Sequence, residues 1–292
     1  MFDYVKHKIK QKPYVYKKVL YIIKLYKAII NIRIDFNSIR EFLSWHSGFV
    51  DLGPGNYKFY SNIFPKLLNK IGDDASNIII LDVGANDGWF AKIVYRFLGE
   101  NVKVISFEPL RSMIPNLKEL RKTYSNYSFE NIAIGENIDR IEITEYVTSG
   151  LSSLKEISPN YKYSDENYNT KTANKYPVDV ISIDIYLTDK NIMDSIILKV
   201  DTQGFEYEVL NGARVAFANG QIRAVIIEVM TLAKYVNSTQ YIKIFDLLHS
   251  YGFKLFDLHP SYYESNGTLS EFDCAFILTP NFNNKQINQS QV

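Results

Sequence analysis

Four acids stand at or near the ends of apolar runs: Asp82, Glu108, Asp201 and Glu228. Asp82 opens the turn Asp82-Val83-Gly84-Ala85-Asn86-Asp87-Gly88, and Glu108 follows it by 26 residues. Asp201 begins Asp201-Thr202-Gln203-Gly204, and Glu228 closes the apolar stretch at 224–230. Carboxylates so placed can do two kinds of work. One at the tip of a second strand accepts hydrogen bonds from both hydroxyls of a ribose. One beside a reacting hydroxyl takes its proton, or holds a hard cation that lowers the hydroxyl's pKa.

The glycines narrow the ligand. Glycine lets the backbone approach a bound group, and a helix start offers N–H groups to a carboxylate or phosphate. A dinucleotide turn carries G-x-G-x-x-G, whereas this one reads G-A-N-D-G. A pyrophosphate needs the extra glycine, and an amino-acid moiety needs less clearance. The turn therefore fits S-adenosylmethionine better than NAD.

These residues need a scaffold, and the apolar pattern supplies one. Residues 78–81 are apolar on both faces, as in a strand buried in a parallel sheet. A helix over 89–98, a strand over 102–107, a helix over 111–124 and a strand over 127–134 follow. The alternation in 139–155 predicts an inserted antiparallel pair. Residues 156–176, rich in Asn, Lys, Tyr and Ser, predict a mobile loop that closes over an acceptor. Then come an extended run over 178–187, a strand from 196 ending in the acid and glycine turn, a helix over 205–218 and a strand over 224–230. A helix over 241–250 and strands over 253–258 and 272–278 finish the order. The expected fold is α/β: a doubly wound, mostly parallel, seven-stranded Rossmann-like sheet with an N-terminal helical extension. The extension is expected over residues 1–55, the main domain over 56–280 and a polar tail over 281–292. A segment just before the first strand can fold over the pocket, which makes Asn56 and Tyr57 candidate ligand contacts.

The 292 residues suffice for one α/β domain with an extension, and 46% apolar with 22% charged residues is ordinary for a soluble protein. The single cysteine, Cys274, excludes a disulfide framework and reads as a buried structural thiol. No apolar span of 18 residues and no signal peptide stand out, so the cytoplasm is the expected compartment. The net charge of +1 is unevenly spread. Residues 1–40 hold ten Lys or Arg against Asp3 and Asp35, a net of about +8, which leaves the body at about −7. Within 14–34, Val19, Ile22, Ile23, Tyr26, Ile29 and Ile30 share one helical face and Lys17, Lys24 and Lys27 lie opposite. Such a helix packs on the domain, mediates self-association, or lies on an anionic membrane surface. An acidic body without an RNA-binding motif disfavours nucleic acid as a partner.

Taken together, LDVGANDG, FEP, NIAIG, VISIDIYL, LKVDTQGFEYEVLNGA and IIEV resemble the FkbM-type methyltransferases that use S-adenosylmethionine. The resemblance covers roughly residues 55–280. It implies a class I methyltransferase fold and methyl transfer, usually to a hydroxyl of a sugar in a surface polysaccharide or of a secondary metabolite. By matched position, Asp82, Gly84 and Asn86 line the methionine end of the cofactor, Glu108 holds the ribose, Asn131 and Ala133 border the adenine, and Asp201 faces the methyl group. Many members carry D-V-E-G where this chain has Asp201-Thr202-Gln203-Gly204, so any catalytic or metal role of that glutamate is absent here. A sugar hydroxyl needs a base or a metal. Asp201 is the first choice as base, or as ligand of a divalent ion such as Mg²⁺, unless it binds the cofactor's ammonium. Glu228 is the second, orienting the acceptor, with Asp184 a third acid at the same edge. His259, in a loop after a strand, is a further candidate base, and Glu206 reads as a helix-dipole acid. The expected acceptor is a sugar or nucleotide-linked sugar of bacterial surface polysaccharide synthesis. The alternatives are a lipid-linked or membrane-bound acceptor, or a non-catalytic cofactor-binding protein.

Overall fold

The computed structural model describes residues 54–72, 77–163 and 168–279, with the side chains of 54–58 outside that set. The basic helix expected over 14–34 and the tail over 281–292 lie outside the described residues.

Strand β1 (Ile78–Val83) is buried at all six positions, as its run of apolar residues demands. Pro54–Ile71 forms α1, the helix before it, and Trp89–Leu98 forms α2, the helix after the glycine turn. Tyr60 and Phe64 of α1 pack on Phe90 of α2, with Tyr60 and Phe90 ring centroids 5.5 Å apart. Next come β2 (Lys103–Phe107), α3 (Ile114–Thr123) and β3 (Tyr127–Glu130). An insertion carries β4 (Ala133–Ile134), β5 (Asp139–Tyr146) and β6 (Thr172–Ile181), and α4 (Ile183–Asp189) follows it. The chain closes with β7 (Ser195–Val200), α5 (Glu206–Asn211), α6 (Arg214–Ala218), β8 (Ile222–Met230), α7 (Tyr241–Ser250), β9 (Phe253–Tyr263) and β10 (Leu269–Leu278).

The main sheet has seven strands in the order β3-β2-β1-β7-β8-β10-β9, parallel from β3 through β8, with β10 antiparallel to both neighbours. This is the doubly wound sheet expected. Strand order reverses between β1 and β7, and at such a switch point the strand tips part to leave a crevice. A core of Leu81, Phe107, Ile196, Leu198, Val225, Ile227, Phe272 and Phe276, among others, runs beneath it.

Several expectations are corrected. The third strand breaks after Glu130: β3 stays in the main sheet, while β4 joins β6 and β5 in a separate three-stranded sheet. Strand β5 pairs with β6 rather than with residues 149–155, which reach it through a bridge from Thr144 to Ser153 and a hydrogen bond from Tyr146 N to Ser152 Oγ. Residues 172–176, expected in a mobile loop, therefore lie in β6. The run over 178–187 splits at Ser182, whose Oγ accepts from Ile185 N at 3.2 Å and starts helix α4. The helix over 205–218 is two short helices broken at Gly212. Strand β9 continues through Pro260, which an edge strand tolerates because that side needs no N–H.

Candidate active site

Register explains why the acids converge. Phe107, Val83, Val200 and Ile227 are aligned across β2, β1, β7 and β8, so the next residues, Glu108, Gly84, Asp201 and Glu228, sit at one level. Glu228 in turn faces Asp273 on β10. A row of carboxyl groups thus lines the carboxyl edge of the sheet.

The glycine turn serves a purpose other than the one its sequence suggested. Gly84 has φ +81, and a Cβ there would lie 1.8 Å from the Asp201 carbonyl oxygen. Its missing side chain lets the tips of β1 and β7 touch, where Asp201 N donates to Val83 O at 3.0 Å. The N–H groups of Gly84 and Ala85 both donate to Phe107 O, that of Gly88 to Ala85 O, and that of Trp89 to the Asp87 carboxylate. Those four N–H groups are spent inside the protein, holding the turn against the tip of β2 and the start of α2.

Glu108 is 3% exposed and uses both carboxylate oxygens. One accepts from Asn86 N at 2.6 Å and the other from Leu110 N at 2.7 Å. It clamps the glycine turn to the tip of β2 while facing the cleft. Burial pushes its pKa up to about 7, against the pull of those two N–H groups. Asn86 adopts φ +47, and its side-chain oxygen accepts from Ser149 Oγ at 3.3 Å.

At the centre stand Asp201, Gln203 and Glu228. Gln203, itself at φ +55, donates from Nε2 to Asp201 Oδ1 at 3.0 Å and to Glu228 Oε2 at 2.7 Å. Lys199 Nζ, almost fully buried, is 3.1 Å from Asp201 Oδ2. Burial pushes the Asp201 carboxyl up, but Lys199 and the Gln203 amide outweigh burial and hold it below the usual carboxylate range. Burial and the Asp201 charge drive Glu228 well above its ordinary value. The two directions favour the charge on Asp201 and a shared proton on the Glu228 side of the pair. Lys199 stays charged despite burial because Asp201, Asp273 and Asp82 surround it. The Tyr235 hydroxyl lies 3.1 Å from Gln203 Oε1 and 2.8 Å from the Leu151 carbonyl. Glu206 is a buried brace: its Oε1 accepts from Thr202 N, Thr202 Oγ1 and Gly204 N at 2.9–3.2 Å, which fixes the 201–204 turn.

Two cavities meet here. A main cleft of about 660 Å³ runs over Gly84, Asn86, Glu108, Leu110, Ala133, Ile134, Asp201 and Phe205, walled by Ser149, Ser152 and Ser153. A second, of about 570 Å³, lies under Tyr60, Trp89 and Phe90. Gly84, Asn86 and Asp201 line both. The main cleft fits an adenosine: an acid at the ribose position and an apolar slot of Leu110, Ala133, Ile134 and Ile143 for a base. A divalent ion does not fit. Both Asp201 oxygens face N–H donors, from Lys199 and from Gln203, where a cation would have to approach. Among the described residues no group of three or more His, Cys, Asp or Glu is arranged to hold a metal.

Of the other expected residues, Ala133 lines the cleft, and Asn131 donates from Nδ2 to Glu108 O at 2.7 Å. Asp82 is buried, accepts from Ser106 Oγ at 2.9 Å and borders the second cavity. Asp184 is not at the site: its carboxylate accepts from Val215 N and Ala216 N and caps α6. His259 lies within strand β9, not in a loop; its ring stacks 5.7 Å from Phe59, and it lines neither cavity. Asn56 and Tyr57 fall in α1, outside the described side chains; Tyr60, one turn on, is the α1 residue at a cavity. Lys199, Tyr235 and Asp273 were not anticipated. The signal was there for two of them, a lysine and an aspartate inside otherwise apolar strands.

Comparison with known proteins gives a consistent picture. A family model described as the methyltransferase FkbM domain matches residues 82–255. No curated protein matches. Similar solved structures include a precorrin-6y C5,15-methyltransferase from Geobacter metallireducens, at 8% identity over 74% of this chain and 86% of that one, TM-score 0.38. Another is a 1,6-didemethyltoxoflavin N1-methyltransferase from Burkholderia thailandensis, with bound 1,6-didemethyltoxoflavin and S-adenosylhomocysteine, at 12% identity over 77% and 78%, TM-score 0.38. Aeropyrum pernix fibrillarin with bound S-adenosyl-L-methionine is similar at 9% identity over 76% of each chain, TM-score 0.36. The match of the family model over more than half the chain carries the conclusion: this protein belongs to the FkbM methyltransferase family.

Proposed function

We propose that this methyltransferase moves the methyl group of S-adenosylmethionine to a hydroxyl of a sugar or nucleotide-linked sugar, in bacterial surface polysaccharide synthesis in the cytoplasm. The observation that carries the reading is the Asp201 carboxylate held at the junction of the two cavities by Lys199 and Gln203. The cofactor, when bound, supplies an electrophilic methyl on a sulfonium. Asp201 accepts the hydrogen bond of the acceptor hydroxyl and turns its lone pair toward that methyl. As the C–O bond forms, the hydroxyl proton passes to Asp201, whose basicity is tempered by Lys199. Burial and the neighbouring Asp201 charge raise the Glu228 carboxyl, which disfavours two charges on the pair.

The first test is calorimetric titration with S-adenosylhomocysteine, followed by transfer of labelled methyl to a panel of nucleotide sugars. Saturable binding with the labelled methyl carried on an ether oxygen supports the reading. Folded protein that binds no S-adenosylhomocysteine removes it, and label found on nitrogen or carbon removes the O-methyl assignment.

A further inference from the structure

Gln203 holds its two acids from one atom, since the bonds to Asp201 Oδ1 and Glu228 Oε2 both leave from Nε2. Bonds that radiate from a single atom leave the amide free to pivot about it. The other end of the amide, Oε1, meets the Tyr235 hydroxyl at 3.1 Å, the one partner it has among the described residues. That hydroxyl is firmly placed. Tyr235 is 1% exposed, and its backbone is bridged to Ile157 and flanked by bonds from Ser158 N to Lys234 O and from Val236 N to Glu156 O. Its side chain lies against Gly204, where an added Cβ would come within 3.0–3.1 Å of it. Gln203 has φ +55 and Gly204 φ +95, both in the left-handed region. The turn thus keeps a costly bend at the place where it brings the amide to that hydroxyl.

We propose that Tyr235 is a positioning residue for methyl transfer, its hydroxyl fixing the Gln203 amide so that Nε2 bonds Asp201 and Glu228 together. The inference deepens the proposed function and rests on its reading of Asp201 as the base. The hydroxyl has one proton and two acceptors in reach, Gln203 Oε1 and, at 2.8 Å, the carbonyl of Leu151, which lies between Gly150 and Ser152 of the main cleft's wall. An O–H donates to one acceptor at a time. A hydroxyl serving the cleft wall is therefore the competing arrangement, and the two differ in what its removal disturbs. Loss of the hold on Leu151 disturbs the cleft where an adenosine fits. Loss of the hold on Gln203 disturbs the acids: Asp201 loses part of the donation that keeps it charged and binds its proton more tightly. Asp201 is faced by Lys199 from β7, Glu228 from β8, Asp273 and Glu271 from β10, and Asp82 from β1. Glu108 beyond β2, Glu206 from α5 and the Tyr60 hydroxyl from α1 complete its surroundings. Removing the neutral hydroxyl of Tyr235 alters none of those charges, so a change in the titration of Asp201 reports the amide.

The test is Tyr235→Phe, which keeps the ring against Gly204, made in the full chain alone and in a Gln203→Met background. The single variant is expected to lower kcat by about tenfold, with the KM for S-adenosylmethionine and the affinity for S-adenosylhomocysteine within about twofold of wild type. The acid limb of its pH profile, which Asp201 and Glu228 set together, moves to higher pH by about half a unit or more. In the Gln203→Met background Tyr235→Phe changes neither kcat nor the profile, because the amide it acts through is gone. NMR of the nitrogen-labelled free protein reads the amide without turnover: the Gln203 side-chain N–H protons exchange about tenfold faster, or more, in Tyr235→Phe than in wild type. Weaker S-adenosylhomocysteine binding with an unmoved acid limb overturns the proposal and gives the hydroxyl to Leu151. An equal loss of kcat with and without Gln203 overturns it as a merely structural effect, and so does unchanged amide exchange. Should wild-type protein transfer methyl to no acceptor, the reading of Asp201 as base fails by itself, and the amide exchange still decides whether Tyr235 holds Gln203.

Discussion

An amide carries two N–H donors and no charge, and Gln203 spends both donors on carboxylates, Asp201 and Glu228. A glutamate in its place would offer no donor and would set a third carboxyl within hydrogen-bond distance of two acids. The resemblance showed that Gln203 departs from the usual acid, and the structure gives the departure a function: it spaces and steadies the pair. Gln203→Glu is therefore expected to lower stability by about 2 kcal/mol at pH 8, and by less at pH 5, where the added carboxyl is protonated. Urea melts at the two pH values check it, and equal losses at both would show that repulsion is not the cause. Asp201→Asn keeps the shape of the side chain and removes the base. Methyl transfer should fall by about 100-fold or more while S-adenosylhomocysteine binding changes little. Near-normal turnover would take Asp201 out of the chemistry.

At the scale of elements, the 201–204 turn is held from three sides: by Glu206 at the start of α5, by Tyr235 after β8, and by the β1 tip through Gly84. Beside Tyr235, Lys234 is fully buried and ion-paired with Glu271, and its Nζ sits 4.5–5.1 Å from the rings of Tyr161, Tyr163 and Tyr262. That cage ties the segment after β5 to strands β9 and β10, beside the contact of the Leu151 carbonyl with Tyr235. Lys234→Met would strand the Glu271 carboxylate in the interior, and a loss of about 3–5 kcal/mol in denaturant unfolding is expected. A loss under 1 kcal/mol would mean the segment is anchored elsewhere. Little of the Lys234 and Tyr235 bracing could be read beforehand, because Lys234 and Glu271 lie 37 residues apart in sequence and Tyr235 and Leu151 lie 84 apart. The legible part was local: buried apolar runs ending in Asp82, Glu108 and Asp201, and glycines where strands become helices. Residues 183–187 alternate like a strand, and only the Ser182 cap decides for helix. The same limit hid Asp273, whose place opposite Glu228 exists only once β10 enters between β8 and β9.

Across the whole molecule, function is written as a concentration of buried acid. Burial raises the pKa of Asp82 to about 6 and of Glu108 and Asp273 to about 7, and it moves Glu206, Glu228 and Glu271 the same way. Asp201 alone among the shifted carboxyls moves down. A raised carboxyl binds its proton more tightly in the folded state than in the unfolded chain. The stability it contributes is complete below the unfolded value, near pH 4, and is lost as pH climbs through the folded value, near 6 to 7. The unliganded protein should thus lose stability between about pH 4 and pH 7, against the smaller opposite trend from Asp201. Asp273→Asn isolates one contribution, since it has no native hydrogen bond to lose. It should stabilise the free protein by on the order of 2–4 kcal/mol at pH 8 and by close to nothing at pH 4. Chemical denaturation of both proteins from pH 4 to pH 8 reads the difference directly. A variant less stable than wild type at pH 8 would show that Asp273 has an internal partner. A stabilised variant would identify Asp273 as a group kept at a cost to the fold, as residues reserved for a ligand are.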